Sequence, residues 1–236
     1  VSPPPAAPPV DRGVEKEPKK QPDPWQDAHA LGVEGSIYAS GRIGASSIEP
    51  SEEERFGVGF DLSTWLTLST EYLLGFGLTY ASLGSVQTAS GVNEFKGAYS
   101  VTATYLGARA FPWRRPNAEI FVGLRVGLAW QGIDATGVRS PPDVWDPQPF
   151  ACSGTAGPGV ALGAGIGGAL RLGSRAWLTG HLDANGYKMT SEVIDDCAVG
   201  IGSVTNASFG AGILYAFDLG RDAKLEAAKP SSTQTW

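Results

Sequence analysis

The sequence predicts an all-β protein: an eight-stranded antiparallel transmembrane β-barrel with short turns at one end and long loops at the other. Three observations carry that expectation. From about residue 30 to residue 220 the bulky apolar side chains recur every second position, the period of a strand rather than of a helix. The opposite faces are mostly Gly, Ala, Ser and Thr with isolated charges, whereas a soluble sheet would show water far more Lys and Glu. Short and long connections also alternate along the chain.

Composition agrees. Of 236 residues, 32 are Gly and 17 are Pro, and charged residues make up only 18%. That balance argues against a helical bundle or coiled coil, because Gly and Pro weaken helix interiors. Two cysteines cannot form a disulfide scaffold or a four-thiolate zinc site. A formal charge of -6 disfavours nucleic acid as a partner, since that contact recruits basic patches. Mean hydropathy is -0.08, and no run of apolar residues is long enough for a membrane helix. A membrane strand escapes that test, because alternation averages to neutral.

The strands follow in order. Leu31, Val33, Gly35, Ile37 and Ala39 alternate with Gly32, Glu34, Ser36 and Tyr38. Phe56, Val58, Phe60 and Leu62 alternate with Gly57, Gly59, Asp61 and Ser63. Tyr72, Leu74, Phe76, Leu78 and Tyr80 oppose Glu71, Leu73, Gly75, Gly77 and Thr79. In the fourth, Phe95, Tyr99, Val101, Ala103 and Tyr105 are assigned to the lipid side and Lys96, Ser100, Thr102 and Thr104 to the interior. The fifth, Ala118–Trp130, is the clearest: Ile120, Val122, Leu124, Val126, Leu128 and Trp130 share one face, and Arg125 lies on the other. Val160 to Arg171, Leu178 to Asn185 and Ser208 to Leu219 complete the set. Such segments suit the roughly 9–11 residues of a tilted membrane strand.

Amphipathic rings belong at headgroup level, so Tyr72, Tyr80, Tyr99, Tyr105, Trp130, Tyr215 and Phe217 are candidate membrane-interface aromatics. Short turns are expected near Ser69–Thr70, Pro112–Asn117 and Gly173–Ser174. Long loops are expected over about 45–55, 85–94, 132–157 and 189–202. Residues 1–28 are Pro-rich and read as a disordered arm, residues 29–220 as the barrel, and residues 221–236 as a polar tail. Both ends then fall on the short-turn, periplasmic side, and a signal peptide is expected to have been removed already.

With these segments the chain resembles the small eight-stranded outer-membrane proteins of Gram-negative bacteria, of the OmpA transmembrane-domain and OmpX type. The last strand, ending Tyr215-Ala-Phe217-Asp-Leu219, is similar to the aromatic-apolar signal read by the barrel assembly machinery. The resemblance implies location in the outer membrane and contact with its lipid and lipopolysaccharide. It also implies an internal ion-pair plug, which in a small pore could gate. The tail is too short for a peptidoglycan-binding domain. The arm leaves a periplasmic or cell-wall partner open.

A narrow barrel cannot leave inward charges unpaired, because desolvation costs several kcal/mol per ion. Glu34, Asp61, Glu71, Lys96, Arg125, Arg171, His181 and Asp183 are therefore expected to form a lumen network with Arg125 and Arg171 as hubs, Asp218 joining them. Cys152 falls in the third long loop and Cys197 in the fourth, neighbours around the rim, so an oxidising compartment favours a disulfide between them. No cofactor, metal or catalytic residue is assigned. His181 with Asp183 and a nearby hydroxyl could suggest a hydrolase, but His181 has inward parity, unlike the lipid-facing residues of barrel lipid A deacylases. Gly163-Ala-Gly165-Ile-Gly167-Gly168 matches a dinucleotide fingerprint but lacks the following helix. Asn206-Ala-Ser208 matches a glycosylation sequon inside a strand. Acids in the loops (Glu49, Glu52, Glu53, Glu54; Asp134, Asp143, Asp146; Glu192, Asp195, Asp196) match no calcium loop. Trp145 and Phe150 could stiffen the third loop or offer an adhesive patch.

The expected role is a non-enzymatic, structural or surface-interaction one. A gated small-solute pore, a lipid A-modifying enzyme and a soluble lipocalin-like binder are the alternatives.

Overall fold

A computed structural model describes residues 30–45, 52–90, 93–139 and 146–218. The Pro-rich arm, the tail, and Glu49, Asp143 and Trp145 lie outside the described residues, as do the side chains of Glu52, Glu53, Glu54 and Asp218. Eight long strands form the molecule: β1 (Ala30–Ala45), β2 (Phe56–Thr67), β3 (Tyr72–Ser90), β4 (Asn93–Arg114), β5 (Ala118–Arg139), β6 (Gln148–Arg171), β7 (Ala176–Lys188) and β8 (Ser203–Asp218). Each pairs antiparallel with its chain neighbours, and β1 pairs with β8 from Ala30↔Asp218 to Ala45↔Val204, which closes the ring. Closure leaves the long strands no open edge in the membrane, where unpaired backbone groups would be costly. The only other strands among the described residues are short: Glu52–Glu54 lies along β3, and Val193–Ile194 pairs with Ala198–Val199 in a small hairpin.

Tight turns connect β2 to β3, β4 to β5 and β6 to β7; Leu68, Arg115 and Leu172 donate their backbone N–H groups to Tyr72, Ala118 and Ala176. At the opposite end the strands outrun the expected loops. β4 and β5 have 22 residues each and β6 has 24, about twice a membrane crossing. The segments expected as loops around 85–94 and 132–157 are largely strand, and Cys152 lies in β6 opposite Ala135 of β5. The reason is legible in the outward side chains. Beyond Tyr80 and Trp130 they change from Leu and Val to Ser82, Ser100, Asp134, Thr136 and Ser153, so the wall continues past the lipid as a watered sheet. Two ladder shifts accompany the change, between Ser82 and Ser85, where Gly84 has φ 85°, and between Ala129 and Gln131. A positive-φ glycine is the residue that lets a strand absorb an extra position and bend.

One assignment is reversed. Tyr99 and Tyr105 are buried inside the barrel (5% and 4% exposed), while Lys96 is exposed on the outside. The strand continues beyond Tyr105 to Arg114. Its lower half settles the parity, with Leu106 64% exposed and Arg109 only 4%. The aromatic set was therefore an interior set, and neither tyrosine is an interface residue.

Elsewhere the bulky faces point outward. Ile37 is 74% exposed, Leu124 67% and Phe209 65%, and the band continues through Phe60, Phe76, Val122, Leu162 and Ile166. Tyr72 and Tyr80, both on the outer face of β3, are separated by about 20 Å along the barrel axis once strand rise and tilt are combined, close to the height of an apolar membrane band. Trp130, Tyr215 and Phe217 also lie on the outer face, and Trp113, which the alternation did not single out, is a further exposed ring there.

Candidate functional site

The interior is filled in layers. At the short-turn end Trp65, Leu73, Phe111, Phe121, Trp177 and Leu214 form an apolar floor. Toward the long end Leu83, Tyr99, Val101, Ile133, Tyr187, Ile194 and Ile201 belong to a second cluster. A polar belt separates them.

In the belt, Glu34 of β1 meets Arg109 of β4 at 2.7 Å and accepts a hydrogen bond from the Trp65 indole at 3.0 Å. The Arg109 guanidinium also lies over the Trp65 and Phe121 rings, 4.0 and 4.3 Å from their centroids. This gives the buried cation a carboxylate and two π faces. Arg125 of β5 stands between Asp61 (3.7 Å) and Asp183 (3.6 Å), while the Tyr105 hydroxyl donates to Asp61 at 2.7–2.8 Å. His181 Nε2 lies 3.5 Å from Asp183. Tyr38 donates to the Tyr80 carbonyl and shares a hydrogen bond with Thr79.

Glu34, Asp61, Arg125, His181 and Asp183 thus meet in the lumen, and three other expected members do not. Glu71 is exposed at the β2–β3 turn. Lys96 is outside for the parity reason above. Arg171 has inward parity but sits at the rim, where it donates to the carbonyls of Gly173, Pro116 and Ser174 and so ties two turns together. The second hub is Arg109, which extending the fourth strand to its turn would have found.

Glycines make the belt possible. A Cβ at Gly77 would strike the Tyr105 ring, at Gly75 the Trp65 ring, at Gly165 the Asp183 carboxylate and at Gly167 the Phe121 ring. The Gly163–Gly168 run is therefore clearance for large neighbours on adjacent strands. Asn206 of the sequon-like triplet is buried in the wall. The Nδ1 atom of His181 has no hydrogen-bond partner among the described residues. No cluster of metal-ligating side chains occurs among the described residues. A void in the belt, between Tyr38, Tyr105, Arg125 and Tyr187, measures about 20 Å³. That is room for about one water.

The outer mouth is closed by the hairpin Val193–Val199. Cys152 and Cys197 form a disulfide, with Cα atoms 5.6 Å apart. Ile194 and Ile201 are buried in the mouth. The Tyr99 hydroxyl donates to the Val199 carbonyl at 3.1 Å from below. Gln131 donates to the Thr190 carbonyl and accepts from the Ile201 N–H, both at 2.9 Å. Asp195 accepts from the Thr155 N–H at 3.0 Å. Gln131 and Tyr99 both hold the cap; the sequence carries no sign of Gln131 and points Tyr99 to the membrane interface instead, since a lone Gln or Tyr in an alternating strand does not reveal its partner.

A closed ring with an outward-facing apolar band, an ion-paired lumen, and short turns opposite long extensions defines an eight-stranded β-barrel of the transmembrane type. No protein-family model matches the chain, and no curated protein matches it in sequence. Solved structures do match in shape. Neisserial surface protein A is similar at 14% identity over 80% of this chain and 99% of that one, TM-score 0.47. Ail, the attachment invasion locus protein of Yersinia pestis, is similar at 12% identity over 80% and 99%, TM-score 0.45. The outer membrane protease OmpT of Escherichia coli is similar at 10% identity over 81% and 97%, TM-score 0.42.

Proposed function

We propose that this protein is a sealed, non-enzymatic outer-membrane barrel whose work is done at its outer end, where a disulfide-stapled surface faces the environment or a partner. The observation that carries this reading is the filled lumen. Among the described residues a floor of aromatics, a paired ionic belt and a hairpin cap occupy the lumen, as the narrow interior of an eight-stranded ring allows. The apolar exterior belongs against lipid and lipopolysaccharide, which is inconsistent with a soluble binder. The barrel assembly machinery would insert the chain through its last strand, and the Pro-rich arm would reach a periplasmic or cell-wall partner.

Conductance in planar bilayers tests this reading. The sealed barrel is expected to give no discrete channels, and neither is the Arg125→Ala variant, because the floor and cap remain. Steps that grow when Arg125 is removed would instead establish the gated pore. A mass change in lipid A, lost on His181→Ala, would establish the enzyme.

A further inference from the structure

Beside the disulfide, between the start of β4, the outer parts of β5 and β6 and the capping hairpin, lies a cleft of about 630 Å³. Its size is that of a ligand site. Phe95 and Phe150 form its apolar wall. Val193 and Val199, cross-strand partners in the hairpin, stand 59% and 47% exposed beside it. Glu94 and Asp196 bring carboxylates to the same cleft, and no cationic side chain lines it among the described residues.

The hairpin that presents this face is held by a tight, hydrogen-bonded turn. Asp195 and Asp196 are its two turn residues, with φ 48° and 56°, and the Cys197 N–H donates to the Ile194 carbonyl to close the turn. Turns with positive φ at both central positions are dominated by Gly, Asn and Asp. Asp195 uses its carboxylate to hold Thr155, but Asp196 is exposed and has no hydrogen bond or ion pair among the described residues. A rigid platform therefore offers two exposed valines and an uncommitted carboxylate.

We infer that this cleft binds a basic peptide segment of a partner protein, apolar side chains seated on Phe95, Phe150 and Val199 and an arginine or lysine against Asp196 and Glu94. This rests on the surface role proposed above and names the partner's chemistry. Charge complementarity selects it: the same carboxylates repel lipopolysaccharide phosphates and acidic segments, and the volume holds several side chains rather than one. Glu94 is already oriented by Gln87, whose amide donates to it at 3.0 Å.

The test uses the full chain in phosphatidylcholine liposomes loaded with a self-quenching dye. The probe is a labelled, blocked hexapeptide of alternating arginine and phenylalanine, read by anisotropy. Saturable binding is expected, absent from empty liposomes and for a glutamate–phenylalanine twin. It should weaken about tenfold in Asp196→Asn with Val199→Thr, a pair that keeps the turn and the side-chain volume. Heat-modifiable mobility reports that the variant is folded. No binding, equal binding of the twin, or unchanged binding by the folded variant overturns the assignment. Dye leakage reads the sealed barrel separately: a leak defeats that reading, whereas no binding without a leak defeats the peptide assignment alone.

Discussion

Arg125 and Arg109 do different work with the same side chain. Arg125 compensates two carboxylates from across the lumen, Asp61 of β2 and Asp183 of β7, whereas Arg109 has one carboxylate and two rings. Removing the shared cation strands both acids in a closed interior. Arg125→Ala is therefore expected to cost about 3–5 kcal/mol, as for a broken buried pair. The check is the urea midpoint of unfolding from lipid vesicles, and replacing Asp61 and Asp183 by Asn in the same chain should recover part of the loss. Clearance gives a second expectation at this scale. Gly167→Leu, which drives a side chain into Phe121, should abolish the folded, SDS-resistant band, while Gly35→Leu, with nothing near its Cβ, should leave it. The acids and Arg125 were legible as inward residues from alternation alone. Which acid each cation reaches was not, because the pairs form between non-adjacent strands that face one another only once the ring has closed.

At the scale of elements, seven of the eight strands had their faces read correctly and β4 did not. Its upper half carries Tyr99, Val101 and Tyr105 inward and Ser100, Thr102 and Thr104 outward, the reverse of the hydropathy expected of a lipid-facing wall. Bulk alone misleads there: a narrow lumen opposite glycines takes tyrosines, and the outer wall tolerates threonine. The strand extensions were hidden for a related reason. Polar outward residues look like loop until the ladder is seen to continue. The capping hairpin depends on Cys152–Cys197 more than the barrel does. Cys152→Ser with Cys197→Ser is expected to leave heat-modifiable mobility intact while amide exchange across residues 190–202 accelerates by about tenfold or more. Exchange that stays unchanged would mean that Gln131, Tyr99 and Asp195 hold the cap without the disulfide.

For the whole molecule, the central claim is directional: bulky apolar faces meet lipid, and ionic and aromatic faces meet one another. The seven tryptophans make it measurable. Trp113 and Trp130 lie on the outer wall, while Trp65 and Trp177 are 1% and 0% exposed in the floor of the lumen. The most direct measurement is fluorescence quenching by brominated phosphatidylcholine in vesicles containing either the full chain or its Trp113→Phe, Trp130→Phe variant. The full chain should be quenched, and the variant should lose the larger part of that quenching while keeping the emission of Trp65 and Trp177. Quenching that persists undiminished in the variant, and still persists when Trp25, Trp145 and Trp236 are also replaced by Phe, would place the lumen tryptophans against lipid, and the inward and outward faces would have to be exchanged.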